Sequence, residues 1–255
     1  MRVRVLGCSG GIGENLRTTS LLIDDDILID CGTGVGDLTL GEMSKIHDIF
    51  LTHSHLDHIA CLPLLADTLF DQTPNHLLTL HCQPETYETI KTHIFNWKIW
   101  PDFFELPDKL NPVIRFAPQL PGQILEIDNR QIEMIEVNHA VAGVAYRIAN
   151  ESTAMAYSGD TTTNDRFWQI LNGYETLDLL IVECAYLEKD RKLSARAKHY
   201  CPTLLAEDMN KLRHQPKTCI THLKPGAEAT IFEELKSVLP DVDLLRLLGG
   251  EIFHL

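Results

Sequence analysis

The N-terminal stretch Met1-Arg2-Val3-Arg4-Val5-Leu6-Gly7 alternates polar and apolar positions as a β-strand does, and short apolar runs of the same kind recur along the chain. They predict strands over 2–7, 19–23, 27–30, 48–52 and 77–82, then a second block over 113–116, 123–127, 131–137, 142–149 and 153–158. Longer mixed stretches predict helices over 35–44, 57–71 and 84–93 in the first half. Helix 163–172 precedes strand 178–183, a long loop runs through Lys198-His199-Tyr200, and helix 203–213 precedes strand 217–221. Helix 228–238 and strands over 242–247 and 251–254 complete the pattern. Two blocks of sheet, each mixed with helices, predict two sheets with helices on their outer faces. No Pro/Gly/Ser-rich linker or repeat period divides the chain, so 1–255 reads as a single domain.

Three polar or irregular stretches interrupt this pattern. Asp24-Asp25-Asp26 between two strands reads as a solvated hairpin turn. Gly7-Cys8-Ser9-Gly10-Gly11-Ile12-Gly13 has the look of a phosphate-binding loop, but a strand follows it where such a loop requires a helix. The segment from Phe95 to Phe104 is dense in aromatics beside prolines, which suits a lid, a subunit contact or a core, and the region around 84–112 reads as a lid or insertion.

Composition narrows the function classes. Hydrophobic residues make up 44% and charged residues 23% of the 255, the balance of a soluble globular protein. Lys plus Arg number 22 against 36 acids, and the net charge of −14 repels a long polyanion, so no stable nucleic-acid partner is expected. The seven cysteines are odd in number, widely spaced and without a Cys-x-x-Cys pair, so they read as buried thiols in a reducing cytoplasm. No secretory leader or membrane span is legible.

Chemistry concentrates in Thr52-His53-Ser54-His55-Leu56-Asp57-His58, directly after the apolar run Ile49-Phe50-Leu51. Three imidazoles and a carboxylate this close cannot enter a core without partners, because an unpaired buried charge costs several kcal/mol. Metal coordination removes that cost. Three more polar residues also follow predicted strands: His139 after Met134–Asn138, Asp160 after Met155–Gly159, and His222 after Thr218–Thr221. Strand ends at one sheet edge converge, which is how a rigid scaffold builds a site. Imidazole and carboxylate donors without thiolate suit zinc, manganese or iron as divalent ions.

His53-x-His55-x-Asp57-His58, His139, Asp160 in Ser-Gly-Asp-Thr and His222 in Thr-His-Leu-Lys resemble the five motifs of the metallo-β-lactamase superfamily, in their order. That resemblance implies an αββα sandwich with two divalent metal ions, zinc foremost, at one edge. His53, His55 and His139 would bind one ion, Asp57, His58 and His222 the other, and Asp160 would bridge them. Within the superfamily, His55 rather than a glutamate resembles the hydrolases. Two such ions, about 3.5–4 Å apart, activate a bridging hydroxide and hold both oxygens of a displacement at phosphorus.

The form with Leu56, the segment Thr92–Phe103, Ile181-Val182-Glu183-Cys184-Ala185-Tyr186 and Lys198-His199-Tyr200-Cys201-Pro202 resemble the class II cyclic-nucleotide phosphodiesterases over about two thirds of the chain. Cys61 and Ala66-Asp67 depart from that family, which has Gly and Ser-Pro/Ala there. The implied activity is hydrolysis of a 3′,5′-cyclic nucleotide to a 5′-monophosphate. Asp57 and His199 would be catalytic, with His199 at the leaving oxygen, and Asn96, Trp97, Trp100 and Phe103 would contact base and ribose. A homodimer is the expected assembly. Two rival readings remain. Leu62-Pro63-Leu64-Leu65, Arg17-Thr18-Thr19-Ser20 and His199 look like the RNase Z type of tRNA 3′-processing enzyme, against which stand the acidic charge and the lack of a basic glycine-rich arm. A thioester or lactone hydrolase would use the same hydroxide on a carbonyl. A non-catalytic metal-sensing or metal-storing protein would not need the full ligand set.

Overall fold

The computed structural model describes residues 1–72 and 76–255. The first half lays down β1 (Arg2–Gly7), β2 (Ser20–Ile23), β3 (Ile27–Ile29), β4 (Asp48–Phe50) and β5 (Leu78–Cys82), with a ribbon of β6 (Pro107–Asp108) and β7 (Asn111–Pro112), then β8 (Ile114–Pro118). The second half supplies β9 (Ile124–Ile127), β10 (Arg130–Glu136), β11 (Val144–Ala149), β12 (Ala154–Tyr157), β13 (Leu179–Glu183), β14 (Lys217–Thr221) and β15 (Leu244–Arg246), and β16 (Ile252–His254) returns to the first sheet. One sheet has the order β16-β1-β2-β3-β4-β5-β8, the other β15-β14-β13-β12-β11-β10-β9. Helices α1 (Leu40–Met43), α2 (Leu56–Ile59), α3 (Leu62–Thr68) and α4 (Pro84–His93) belong to the first half; α5 (Arg166–Leu171), α6 (Arg191–Ala197), α7 (Pro202–Met209) and α8 (Glu228–Val238) belong to the second.

Strand periodicity explains the layering. Side chains of period two put Leu21, Ile23, Ile27, Ile29 and Phe50 of one sheet against Met134, Val144, Tyr146, Met155, Tyr157 and Ile181 of the other. The intervening residues Leu22, Leu28, Ile49 and Leu80 face outward, under α3, α4 and the aromatic segment. Ile135, Ala145, Ala156, Leu180, Val182 and Ile220 do the same beneath α5, α7 and α8. Both faces of each sheet are therefore dry, and the αββα sandwich is the arrangement this pattern allows.

Several expected helices are interrupted, each for a local reason. The 35–44 helix divides into a 3₁₀ turn at Thr33–Asp37 and α1, because Thr39 adopts an extended backbone and caps a new helix reciprocally with Glu42. The 57–71 helix breaks into α2 and α3, where Cys61 donates its backbone N–H to the Cys31 carbonyl and Pro63 occupies the first turn of the new helix. The expected loop before His199 contains α6, which ends on Lys198 in the left-handed region. Asp24, Asp25 and Asp26 are more than a solvated turn: Arg130, nearly buried, binds Asp24 and Asp26 from the other sheet, while Arg2 binds Asp25.

Strand direction places the candidate site. Strands β12, β13 and β14 are parallel, and β10 runs with β12 because both are antiparallel to β11. Their C-terminal ends, followed by His139, Asp160, Cys184 and His222, thus share one edge. In the facing sheet β3 and β4 are parallel, and β1 runs with β3 through β2, so Gly7, Asp30 and Leu51 emerge at a common edge. Tyr146 Oη donates to the Leu51 carbonyl (2.8 Å) and Val144 N–H to the Thr52 carbonyl (3.0 Å), stitching the two edges together where the histidine loop begins. Gly159 makes the adjacent turn with φ of +57°, and a Cβ there would lie 2.6 Å from the Val144 carbonyl oxygen. Gly159→Ala is expected to lower unfolding free energy by about 2 kcal/mol, from backbone strain and displacement of that stitch, read as a lower urea midpoint at constant m-value.

Candidate metal centre

The loop after β4 turns its side chains inward because its backbone has other partners. Asp30, fully buried at the end of β3, accepts from Thr52 N–H (2.8 Å) and Thr52 Oγ1 (2.9 and 3.0 Å), and pairs with His58 Nδ1 at 2.7 Å. That contact fixes the His58 ring and leaves Nε2 facing the site. Thr52 Oγ1 lies 3.0 Å from His53 Nδ1, and the Lys198 carbonyl 3.0 Å from His139 Nδ1, so these rings also present Nε2 inward.

The inward atoms form two groups that share Asp160, and His222 of the second also belongs to a third group with Glu183 and His199. His53, His55, His139 and Asp160 offer ligand atoms all within 4.8 Å of one another, and so do Asp57, His58, Asp160 and His222. Asp160 Oδ2 lies 3.6 Å from His53 Nε2 and 3.3 Å from His222 Nε2, while Oδ1 lies 3.3 Å from His58 Nε2. Asp57 Oδ2 is 3.2 Å from His222 Nε2. His53 Nε2, His58 Nε2 and Asp160 Oδ1 are buried without a hydrogen-bond partner. Buried polar atoms left unpaired are costly, and here they converge on common points, so the donor set fits two divalent cations. Asp160 is the group positioned to touch both.

Electrostatics agree with that fit. Burial opposes ionisation of Asp160, yet His222 and His58 hold its carboxyl well below the usual carboxylate range. Asp57 is likewise held low, burial being outweighed by the His222 hydrogen bond and by His58. Burial pushes His53 and His55 down and takes His139 to about 4, leaving neutral rings with free lone pairs. For His58 burial is outweighed by Asp160 and Asp30, which raise it.

His199 stands beside this centre. Its ring stacks on His222 with centroids 5.3 Å apart and meets His139 edge-on at 5.1 Å. Nδ1 lies 2.8 Å from Glu183 Oε1, whose carboxylate is wholly buried and also accepts from Thr161 N–H. Burial works against protonation of His199, but Glu183 outweighs it and raises the ring above its ordinary range.

Asp30 as the brace of His58 was not singled out by sequence reasoning, and Glu183 entered only within a motif. The available signal was a carboxylate closing an otherwise apolar strand, in Ile27-Leu28-Ile29-Asp30 and Leu179-Leu180-Ile181-Val182-Glu183. The four residues expected at base and ribose are placed differently. Phe103 is 2% exposed and packs on Phe95 and Phe70 in the aromatic layer outside the first sheet, where its ring is removed from water. Trp100 packs against the same layer, and Asn96 uses its side chain on its own turn, accepting from Lys98 and Ile99 N–H. Trp97 is 60% exposed. Among the described residues none of the four makes a hydrogen bond or ring contact with the cluster.

A sequence profile described as Beta-lactamase superfamily domain matches residues 25–236. The chain is 25% identical over 277 residues to a probable 3′,5′-cyclic-nucleotide phosphodiesterase of Yersinia pestis, covering 88% of this chain and 78% of that protein. It is 28% identical over 153 residues to a ribonuclease Z of Halorubrum lacusprofundi, covering 57% of this chain and 46% of the relative, just under half its length. Unliganded yeast PDE1 superposes with a TM-score of 0.83 over 100% of this chain and 99% of that one; at 18% identity this is a likeness of fold.

Two outcomes test the centre. Asp30→Asn should weaken divalent-metal binding by about 10- to 100-fold by loosening His58, measured by chelator competition. Without metal, burial lowers His139 to about 4 in the folded chain against about 6.5 unfolded, so its contribution is complete above the higher value and is lost as pH falls toward the lower. The pH slope of unfolding free energy between those limits should be shallower in His139→Gln.

Proposed function

The chain belongs to the β-lactamase superfamily and is one of its metallo-hydrolases, and on that premise we propose that it hydrolyses 3′,5′-cyclic nucleotides to nucleoside 5′-monophosphates. The observation that carries the reading is the Asp160 carboxylate shared by two ligand groups, with a Glu183-braced imidazole beside them. The partial identity to the probable cyclic-nucleotide phosphodiesterase, over most of both chains, supports that substrate over others.

His53, His55, His139 and Asp160 would hold one divalent cation, and Asp57, His58, Asp160 and His222 the second; zinc suits the donors, with manganese or iron as alternatives. Such a pair supplies an activated water and neutralises charge on the phosphoryl oxygens. The protein's own part is positional. Asp57, whose side chain is 31% exposed while Asp160 is nearly sealed, would accept a hydrogen bond from the attacking water. Glu183 keeps His199 Nδ1 engaged, so Nε2 is the atom free to protonate the departing ribose oxygen. The raised affinity of His199 for its proton suits an acid at neutral pH.

Of the four residues expected at base and ribose, Trp97 is the exposed ring on which a nucleobase would stack; with Ile99 and Leu110 it equally suits a homodimer contact. Seven free thiols support a cytoplasmic setting, and no helix among the described residues is long and apolar enough to cross a membrane. The ribonuclease Z relative keeps pre-tRNA as the second candidate substrate, although a net charge of −14 opposes it.

Zinc- or manganese-loaded protein should turn over cyclic AMP or cyclic GMP faster than a pre-tRNA, a thioester or a lactone. Asp160→Ala should lose one equivalent of metal and about a thousandfold or more in kcat. His199→Ala should keep its metal and lose about 10²–10⁴ in kcat at similar KM. Faster cleavage of pre-tRNA than of either cyclic nucleotide would overturn the assignment.

A further inference from the structure

A cavity of about 330 Å³ lies where the chain crosses from β15 to β16, beside the loop that follows β1. Its walls combine apolar and charged groups. Leu6, Leu16 and Leu248 give an apolar surface, Arg4, Arg17 and Arg246 bring guanidinium groups from separate parts of the chain, and Asp37 and Glu228 bring carboxylates; Arg4 is taken up by Glu42. Arg17 is paired with Asp37, but among the described residues Arg246 has no carboxylate partner. Ser9, only 6% exposed, also lines the cavity, and its hydroxyl is buried without a hydrogen-bond partner. An unpaired cation and an orphaned hydroxyl at the wall of one apolar-sided cavity are the groups that an anionic ligand head would satisfy. The volume falls within the range of small-molecule sites.

We propose that this cavity is a second ligand site, distinct from the metal centre, that takes a small organic anion with a flat apolar body. The anionic group binds Arg246 and Ser9, and the body packs on the leucines. Its position gives it a route to the site already described. Gly10 N–H donates to the Leu223 carbonyl (3.1 Å) and His222 N–H to the Cys8 carbonyl (2.8 Å), so the cavity wall and the His222 backbone are one hydrogen-bonded unit. His222 itself holds a left-handed backbone with φ of 59°, a conformation these bonds maintain. A ligand that shifts Ser9 therefore shifts a residue of the second metal group. This coupling, unlike the binding itself, rests on the metal-centre reading.

The test uses 2-naphthalenesulfonate as the probe, titrated calorimetrically into the full chain. One equivalent should bind. Arg246→Ala should weaken it by at least about tenfold, Arg246→Lys less than that, and Ser9→Ala severalfold, while Asp160→Ala still binds one equivalent with an affinity shifted by no more than the severalfold that loss of a coupled metal entails. Absence of saturable binding, indifference to Arg246→Ala, or loss of binding in Asp160→Ala overturns the site. None of these readouts needs turnover, so the site stands or falls separately from the cyclic-nucleotide assignment. For the coupling, saturating probe should change the zinc dissociation constant of the wild type at least about threefold and leave that of Arg246→Ala unchanged; an equal constant with and without probe removes it.

Discussion

A carboxylate shut away from water must be surrounded by positive charge or by donors, and the site is arranged around meeting that demand at Asp160. The residue is 3% exposed, its two oxygens face the Nε2 atoms of His53, His58 and His222, and one of those oxygens has no hydrogen-bond partner. The imidazoles in turn are held by atoms behind them: Thr52 behind His53, Asp30 behind His58, the Lys198 carbonyl behind His139. Each ring is thereby oriented through Nδ1 and presents Nε2. The protein has built the outer part of a cation site into its hydrogen-bond network.

The two sheets are needed together for this. Asp30, Thr52 and the histidine loop come from one edge, and His139, Asp160, Glu183 and His222 from the other. The Tyr146–Leu51 and Val144–Thr52 hydrogen bonds hold those edges in register at the site, and the Arg130 cluster with Asp24 and Asp26 clamps them elsewhere. The buried layer between the sheets keeps the distance constant, since close-packed side chains of fixed volume act as a spacer. Sub-ångström placement of ligands on loops depends on that rigid support.

The acidic groups of the centre are each tied to imidazoles: Asp160 to His53, His58 and His222, Asp57 to His222, and Glu183 to His199. The segment that bears the exposed Trp97 contributes Phe95 and Phe103 to the outer layer and uses Asn96 to close its own turn. A motif stretch that resembles a substrate wall can thus be chiefly a packing element, because large aromatics stabilise most where they are removed from water.

The sequence alone determined the αββα class, since apolar runs of strand length between helical stretches admit few layered solutions. It also brought the candidate ligands into view, because polar side chains closing apolar strands need partners: His53, His55, Asp57, His58, His139, Asp160 and His222 were singled out in this way, and they cluster in space. Pairing and orientation were decided only in three dimensions: that Asp30 braces His58, that Glu183 holds His199, that Phe103 is core, and that an unpaired Arg246 and Ser9 face one cavity. These depend on the spatial convergence of residues far apart in the chain, such as Asp30 with His58 and Ser9 with Arg246 at one cavity, and on which face of a strand or turn a side chain takes. Local pattern carries no record of either, because distance along the chain says nothing of distance through a folded core.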